Sequence, residues 1–327
     1  MSEPDNKTPI SLDKVKRYSL KERKSKVTVR NFARPHSSSH LLDWLDSLSD
    51  ILSAKDLKEI IKIIANAAIQ KKMIILGMGA HPIKLGLSRI IIDLMRRGII
   101  KGIATNGACI IHDTEIAMIG HTSEDVAKEL KTGRFGMAKE TAQFLNSVIS
   151  DAYKKGIGLG EAVGKMILKG DFPYKEFSIF ANAYDMNVPA MVHVAIGTDI
   201  IHMHPESDPA AIGATSHIDF RIFARLVSQL EHGVFINLGS AVIIPEVFLK
   251  ALSLVRNLGY NVYRFTTVNL DFNRQYRAVT NIVERPTMHG GKGFYIIGHN
   301  EITFPLIASL VIEYMNRRLK QLTKSVY

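Results

Sequence analysis

The sequence predicts an α/β protein built on a doubly wound, mainly parallel sheet, and three observations carry that expectation. Short apolar runs that stop at a glycine or asparagine, such as MIILG (Met73–Gly77) and VFINL (Val234–Leu238), read as strands buried on both faces. Stretches of helical period separate these runs, bracketed by proline at the start and glycine at the end, as in PIKLGLSRIIIDLMRRG (Pro82–Gly98). Strand, helix and strand then follow one another between Met73 and Thr105, which is a βαβ unit with a right-handed connection. The rest of the chain repeats that alternation.

In chain order, a polar arm over 1–38 leads through RPHSSSH into a helix carrying Leu41, Leu42, Leu45 and Leu48 at helical spacing. A second helix covers Lys55–Gln70, followed by the strand at Met73, the helix at Pro82 and a strand over Ile100–Thr105 that ends in the turn Asn106-Gly107. Helices are expected over Ser123–Lys131, Lys139–Lys154, Gly160–Leu168 and Tyr174–Asp185. AMVHVAI (Ala190–Ile196) is the third strand, and a long helix spans Pro209–Glu231. The fourth strand is Val234–Leu238, with a helix over Pro245–Gly259 and a fifth strand over Asn261–Val268. A last strand at Gly293–Gly298 and a closing helix at Ile302–Leu319 complete one α/β domain over 39–319, with a basic tail over 320–327.

Composition narrows the class of function. The 327 residues are 46% hydrophobic and 22% charged, as in an ordinary globular protein. No apolar run reaches the roughly 18–20 residues of a membrane span, so no membrane partner is expected. The opening segment has no apolar run after its charges, so a secretory signal is not expected and a cytoplasmic location is. A single cysteine, Cys109, excludes an internal disulfide framework and an all-thiolate metal site, and reads as a small buried hydrophobe. The net charge of +11 sits mostly at the ends: residues 1–36 hold ten Lys/Arg against four Asp/Glu, and the last twelve residues hold four Lys/Arg. The long body between is nearly neutral. No aromatic residues interleave with arginine as in a single-strand binder, so no nucleic-acid partner is expected.

In a doubly wound sheet the ligand crevice lies beyond the carboxyl ends of the strands, so the residues after each strand are the candidates. These are GMGAHPIK, NGACIIHDTE, GTDIIHMHP, GSAVIIPE and TTVNLDF. Gly77 and Gly79, ahead of the helix at Pro82, suit close approach to a phosphate, although Pro82 stands where a third fingerprint glycine would be. His202 and His204 form an H-x-H pair of the kind that binds transition metals, with Asp199, His112, Asp113 and Glu115 as further donors. Asp113, Glu115, Asp199 and Glu246 are candidate acid–base groups.

The order of these segments resembles the deoxyhypusine synthase family and its deoxyhypusine synthase-like relatives, from Leu57 to Arg285. GAHPIKLGL (Gly79–Leu87) holds the place of the family's T-S-N turn and following helix, with His81 at the asparagine. Thr105-Asn106-Gly107-Ala108 resembles T-A-G-G, and His112-Asp113 with Glu115 the acidic pair after it. Asp199 matches the aspartate of T-D-G-S, VFINLGSAVIIPE the stretch holding G-G-x-P-K-H, and Asp271 lies near the aspartate of N-T-A-x-x-F-D-G. The family's E-A-V-S-W-G-K falls on VTNIVER, where Arg285 takes the position of the lysine that forms an imine with substrate; the only tryptophan is Trp44, and Pro245-Glu246-Val247 replaces P-K-H. Lys292 is a candidate replacement nucleophile.

The resemblance implies a Rossmann-like fold, a homotetramer and NAD held at subunit interfaces. It also implies an aminobutyl-type transfer from spermidine, or a related small-molecule amine, to a protein acceptor. Gly77, Gly79, His81, Thr105, Asn106, Gly107, Ala108 and Asp271 are expected at the cofactor, and Asp113, Glu115, Asp199, His202, His204 and Glu246 at the amine. Two alternatives stay open. One is a metal-dependent hydrolase or lyase around His202 and His204, and the other a non-catalytic nucleotide-binding module with basic tails as partner contacts.

Overall fold

The computed structural model describes residues 39–324 together with Lys16 and Arg34. The arm read over 1–38 otherwise lies outside the described residues, as do residues 325–327 of the tail. Two helices, α1 (Leu41–Ser47) and α2 (Leu52–Ile69), lead into strand β1 (Ile74–Met78). Then come α3 (His81–Lys84), α4 (Ser88–Arg96), β2 (Gly102–Asn106), α5 (Gly107–Ile119), α6 (Val126–Leu130), α7 (Lys139–Lys155), α8 (Leu159–Lys169) and α9 (Ile179–Asp185). Strand β3 (Ala190–His193) precedes α10 (Pro209–Val227), β4 (Val234–Leu238), α11 (Ile243–Asn257) and β5 (Thr266–Asp271). A short α12 (Tyr276–Ala278) runs into a π-helical turn over Val279–Glu284, followed by β6 (Lys292–Ile297) and α13 (Asn300–Lys324).

The six strands form one sheet in the order β3-β2-β1-β4-β5-β6, every pair parallel. This is the doubly wound, Rossmann-type order with its switch point between β1 and β4. Leu76 of β1 stands opposite Ile103 of β2 and Ile236 of β4, which puts β1 at the centre. Alternate residues of β1 serve opposite layers: Ile74, Leu76 and Met78 join the larger core, and Ile75 the smaller one. The smaller core is aromatic. Phe235 of β4 stacks on Phe248 of α11 with ring centres 4.0 Å apart, flanked by Phe223 at 6.1 Å and, beyond Phe248, by Phe265 at 6.2 Å. Gly77 gives that layer its room, because a Cβ there would lie 2.5 Å from Ile244 and 2.7 Å from Phe235.

Four elements differ from the sequence expectation. The helix expected from Pro82 to Gly98 is two, divided where Gly86 adopts φ +72°. The segment NGACIIHDTE is a helix rather than a loop; α5 buries residues on most of its circumference, so its sequence shows no amphipathic period. The fifth strand is Thr266–Asp271, so TTVNLDF is the strand itself and not the segment after it. Its polar residues are buried, and Asn269 Oδ1 accepts from the Asn237 amide at 2.6 Å. The closing helix runs on through Lys324, so the basic tail read from 320 is helical over its described part.

The edge strand β3 is held by one carboxylate. Asp219 of α10, fully buried, accepts the N–H groups of Val192 at 2.8 Å and Gly160 at 2.9 Å, while Ser216 accepts from Val194 and donates to Val192. These bonds close off part of the strand's free edge. Burial pushes the Asp219 carboxyl up from 3.8 to about 7. Between those values the folded protein holds a proton that the unfolded chain has released, so stability falls as pH rises through the window. Asp113, raised to about 6 by burial, acts in the same direction. Asp219→Asn is therefore expected to flatten the loss of stability between about pH 4.5 and 7.5. Urea melts across that range check it, and an unchanged slope would show that Asp219 titrates alike in both states.

Candidate functional site

Two candidate places lie at the carboxyl edge of the sheet: the turns that meet at the β1–β4 switch point, and a hollow beside α5. The first is the crevice at the β1–β4 switch point. Gly79 follows β1 and lies against Gly239, which follows β4; a Cβ on Gly79 would meet the Gly239 carbonyl at 3.1 Å. Gly239 itself takes φ +63°, a conformation that favours glycine. The sheet fixes this turn through Asn237, whose amide donates to the Ser240 carbonyl at 2.9 Å as well as to Asn269. At the mouth, the exposed ring of His81 lies 6.0 Å from that of Phe272, which is 56% exposed. Asp271 ends β5 beside them and accepts from the Asn273 N–H at 3.3 Å, and burial raises its carboxyl above the ordinary range.

The second is a cavity of about 210 Å³ between α5, the loop before α6 and the segment after β3. Its ionisable lining is Lys84, His112, Glu115, Glu124 and Asp199. Helix α5 sets His112 and Glu115 one turn apart, 3.9 Å from each other. Thr122 donates to Glu115 and shares a 2.7 Å hydrogen bond with His112 Nδ1, and Thr141 donates to Glu115 at 3.2 Å. Burial, with Lys84 nearby, lowers His112 to about 4, so the imidazole is neutral at pH 7. Asp199 is 6% exposed, and its Oδ2 has no hydrogen-bond partner among the described residues. Burial raises its carboxyl to about 6.

Asp199 also explains Gly107. A Cβ at Gly107, the first residue of α5, would lie 1.9 Å from Asp199 Oδ2. The positive end of α5 thus already faces a side-chain carboxylate. Ala108 lines the cavity next to it. Asn106 accepts from the Cys109 thiol at 3.1 Å, and Thr105 donates to the Met191 carbonyl at 2.9 Å, tying β2 to β3. Cys109 is buried, as its sequence context suggests, and burial pushes its thiol up.

The other residues singled out from the sequence lie elsewhere. Asp113 is fully buried and accepts from the Ser178 hydroxyl and the N–H groups of Ile179 at 2.7 Å and Phe180 at 3.3 Å, which fixes the start of α9. His202 Nδ1 accepts from the Gly197 N–H at 3.1 Å, and His204 Nε2 bonds the Gly136 carbonyl at 2.9 Å. Both imidazoles brace loops, and no three His, Cys, Asp or Glu among the described residues stand close enough to share a metal. Glu246 on α11 belongs to a surface network with Lys250, Arg277 at 3.3 Å and Asn281 at 2.9 Å. Gly77 serves packing. Arg285, at the family's lysine position, is exposed and donates to Asn281 at 3.0 Å. Lys292 opens β6 at the opposite, amino edge of the sheet and pairs with Glu59 at 2.6 Å, which removes it as a replacement nucleophile. Sequence reasoning did not reach Glu124, Lys84 as a cavity residue, or Asn300.

No family model matches the sequence, and no curated protein does. Solved structures with a similar chain path include an arginine dihydrolase of the ornithine-ammonia cycle in Cyanobacteria, at 16% identity and TM-score 0.49 over 81% of this chain and 33% of that one. A LOR/SDH candidate from Methanococcus maripaludis S2 also has 16% identity and TM-score 0.49, over 80% of this chain and 70% of that one. A deoxyhypusine synthase candidate from Entamoeba histolytica has 15% identity and TM-score 0.49, over 83% and 92%. This chain therefore spans about a third of the arginine dihydrolase. The group that the sequence resembles is represented here, but at TM-scores below 0.5 these likenesses carry no weight for ligand or reaction. The fold stands on its own strand order.

The Gly107–Asp199 contact is open to a double-mutant test. Gly107→Ala is expected to cost about 1–3 kcal/mol by overpacking. Asp199→Ala in the same chain should return part of that loss, so that the double variant is more stable than the sum of the single effects. Denaturant melts of the four proteins decide it, and strict additivity would place the two side chains apart.

Proposed function

We propose that the protein is an enzyme acting on a small amine, bound in the acidic cavity, with NAD held in the neighbouring β1–β4 crevice. The observation that carries this reading is the lining of the cavity. Glu115, Glu124 and Asp199 face a neutral imidazole within about 210 Å³ at the carboxyl edge of a doubly wound sheet. An ammonium group needs several acceptors and a compensating negative charge, and three carboxylates against the single cation of Lys84 offer both. Ile111, Val126 and Phe135 suit the methylenes of an aliphatic amine.

The residues of the crevice fit a dinucleotide. Gly79 and Gly239 let the two turns meet with no side chain between them, and the His81–Phe272 pair offers ring surface beside them. NAD, when bound, supplies hydride acceptance and return. This chain's part is to seat it beside the amine. We extend the reading to an alkyl-transfer type of reaction in a cytoplasmic homotetramer. Exposed Ile196, Phe272 and Tyr276 at the carboxyl edge favour a second copy covering that edge. Among the described residues no helix is long and apolar enough to cross a membrane.

Asp199 gives the amine site a pH signature. Its carboxyl is neutral below about 6 and cannot pair with an ammonium group there, so affinity for spermidine should rise as pH increases through 6. Calorimetry is expected to show binding about tenfold tighter at pH 7.5 than at pH 5. Asp199→Asn should weaken binding and remove the slope. Titration of NAD with and without spermidine completes the test: saturable NAD binding, strengthened by the amine, is the expected result. Failure of the wild-type protein to bind either molecule would overturn the reading.

A further inference from the structure

The last residue of β3 carries an imidazole that no hydrogen bond holds. His193 is 4% exposed; its Nε2 is enclosed without a partner, and its Nδ1, which is not enclosed, has none either among the described residues. Burial lowers the ring to about 3, so it is neutral at pH 7, with one donor and one acceptor. The ring borders a hollow of about 250 Å³ between the end of β3, α10 and α11. Val194, Ile196, Ile212, Phe220 and Val247 form apolar walls, and no Lys, Arg, Asp or Glu lines it. Exposed His217 adds a second ring surface, its plane 25° from that of Phe220. This hollow is distinct from the amine cavity, since the segment after β3 gives Ile196 to the one and Thr198 and Asp199 to the other.

We propose that this hollow binds an uncharged small molecule of the phenol class, its ring against the apolar walls and its hydroxyl on His193 Nδ1. The lining selects for charge first. An anion finds no cationic side chain among the wall residues, and Ser216 has no donor to give it: its hydroxyl already donates to the Val192 carbonyl at 2.9 Å and accepts from the Val194 N–H at 3.0 Å. A cation finds no carboxylate. A hydroxyl both donates and accepts, so it pairs with Nδ1 whichever ring nitrogen carries the hydrogen. The flat body follows from Phe220 and His217, which present ring surface beside branched aliphatic side chains. His193 is thereby the polar group that separates hydroxyl-bearing ligands from hydrocarbons of the same shape.

The test uses the full-length protein and four probes of similar shape: phenol, toluene, benzoate and benzylammonium, titrated at pH 7 with binding read by NMR. Wild type is expected to bind phenol saturably with a Kd on the order of 1 mM, as suits so small a ligand. Toluene should bind about tenfold more weakly, and neither charged probe should displace phenol. His193→Phe keeps a ring and removes both nitrogens. It should weaken phenol about tenfold and leave toluene unchanged, with a thermal midpoint at or above that of wild type because an enclosed unpaired nitrogen is gone. Should that variant fail to fold, Gly213→Leu fills the hollow from α10, where a Cβ would meet nothing within 4 Å, and is expected to abolish phenol binding. Phenol binding that survives either variant would put the ligand elsewhere and overturn the proposal. Equal affinity for phenol and toluene, displacement by a charged probe, or no saturable phenol binding by wild type would each overturn it as well.

Discussion

The carboxyl edge of this sheet is shaped by the absence of a side chain at Gly77. Phe235 and Ile244 fill the place that a Cβ at Gly77 would take, and Phe248 stacks on Phe235 from α11. That close approach draws the start of α11 down onto the central strand. The turn between β4 and α11 then meets the turn after β1, glycine against glycine, at Gly239 and Gly79. A larger residue at 77 would lift α11 and open the contact. The geometry of the crevice is thus inherited from packing in the aromatic layer beneath it, where steric fit is least forgiving.

Buried polar groups divide into two kinds, and the division is informative. Asp219 and Asp113 are satisfied by backbone N–H groups, and their work is architectural: one grips the β3 edge, the other fixes the start of α9. Asp199 and Asn300 each keep an unpaired atom at the carboxyl edge, as Thr114, Asn146 and Thr267 do elsewhere in the interior.

Much of this was legible in the sequence, and the gaps have physical causes. Strands that bury both faces, such as Ile74–Met78 and Val234–Leu238, announce themselves as apolar runs. The fifth strand does not, because Thr267, Asn269 and Asp271 are buried polar residues that interrupt the apolar run. Helix α5 was hidden for the opposite reason, being buried too far round its circumference to alternate. Glu115 and Asp199 were identifiable as residues after strands, and they do share a cavity. Asp113, two positions before Glu115 on the same helix, carries the same kind of carboxyl group but serves as a cap, because only the fold brings Ser178 and Ile179 to it. Whether an acidic residue faces a cavity or a helix start depends on contacts between distant segments.

The two places differ in electrical character, and Asp199 is the reason they stay distinct. Its carboxylate rests on Gly107, at the positive end of α5, so that helix start offers little to a second anion. Phosphate is further discouraged by Glu115 and Glu124 around the same cavity. Between β1 and β4 the inner residues are the uncharged amides of Asn237, Asn269 and Asn300, with the Asp271 carboxyl beside His81 and Arg274 beyond Phe272 on the same loop. The cavity thus carries an excess of carboxylates that favours a cation, while the neighbouring turns of the same sheet present mostly neutral amides, so the two places differ in the charge they accept even though one sheet edge positions both.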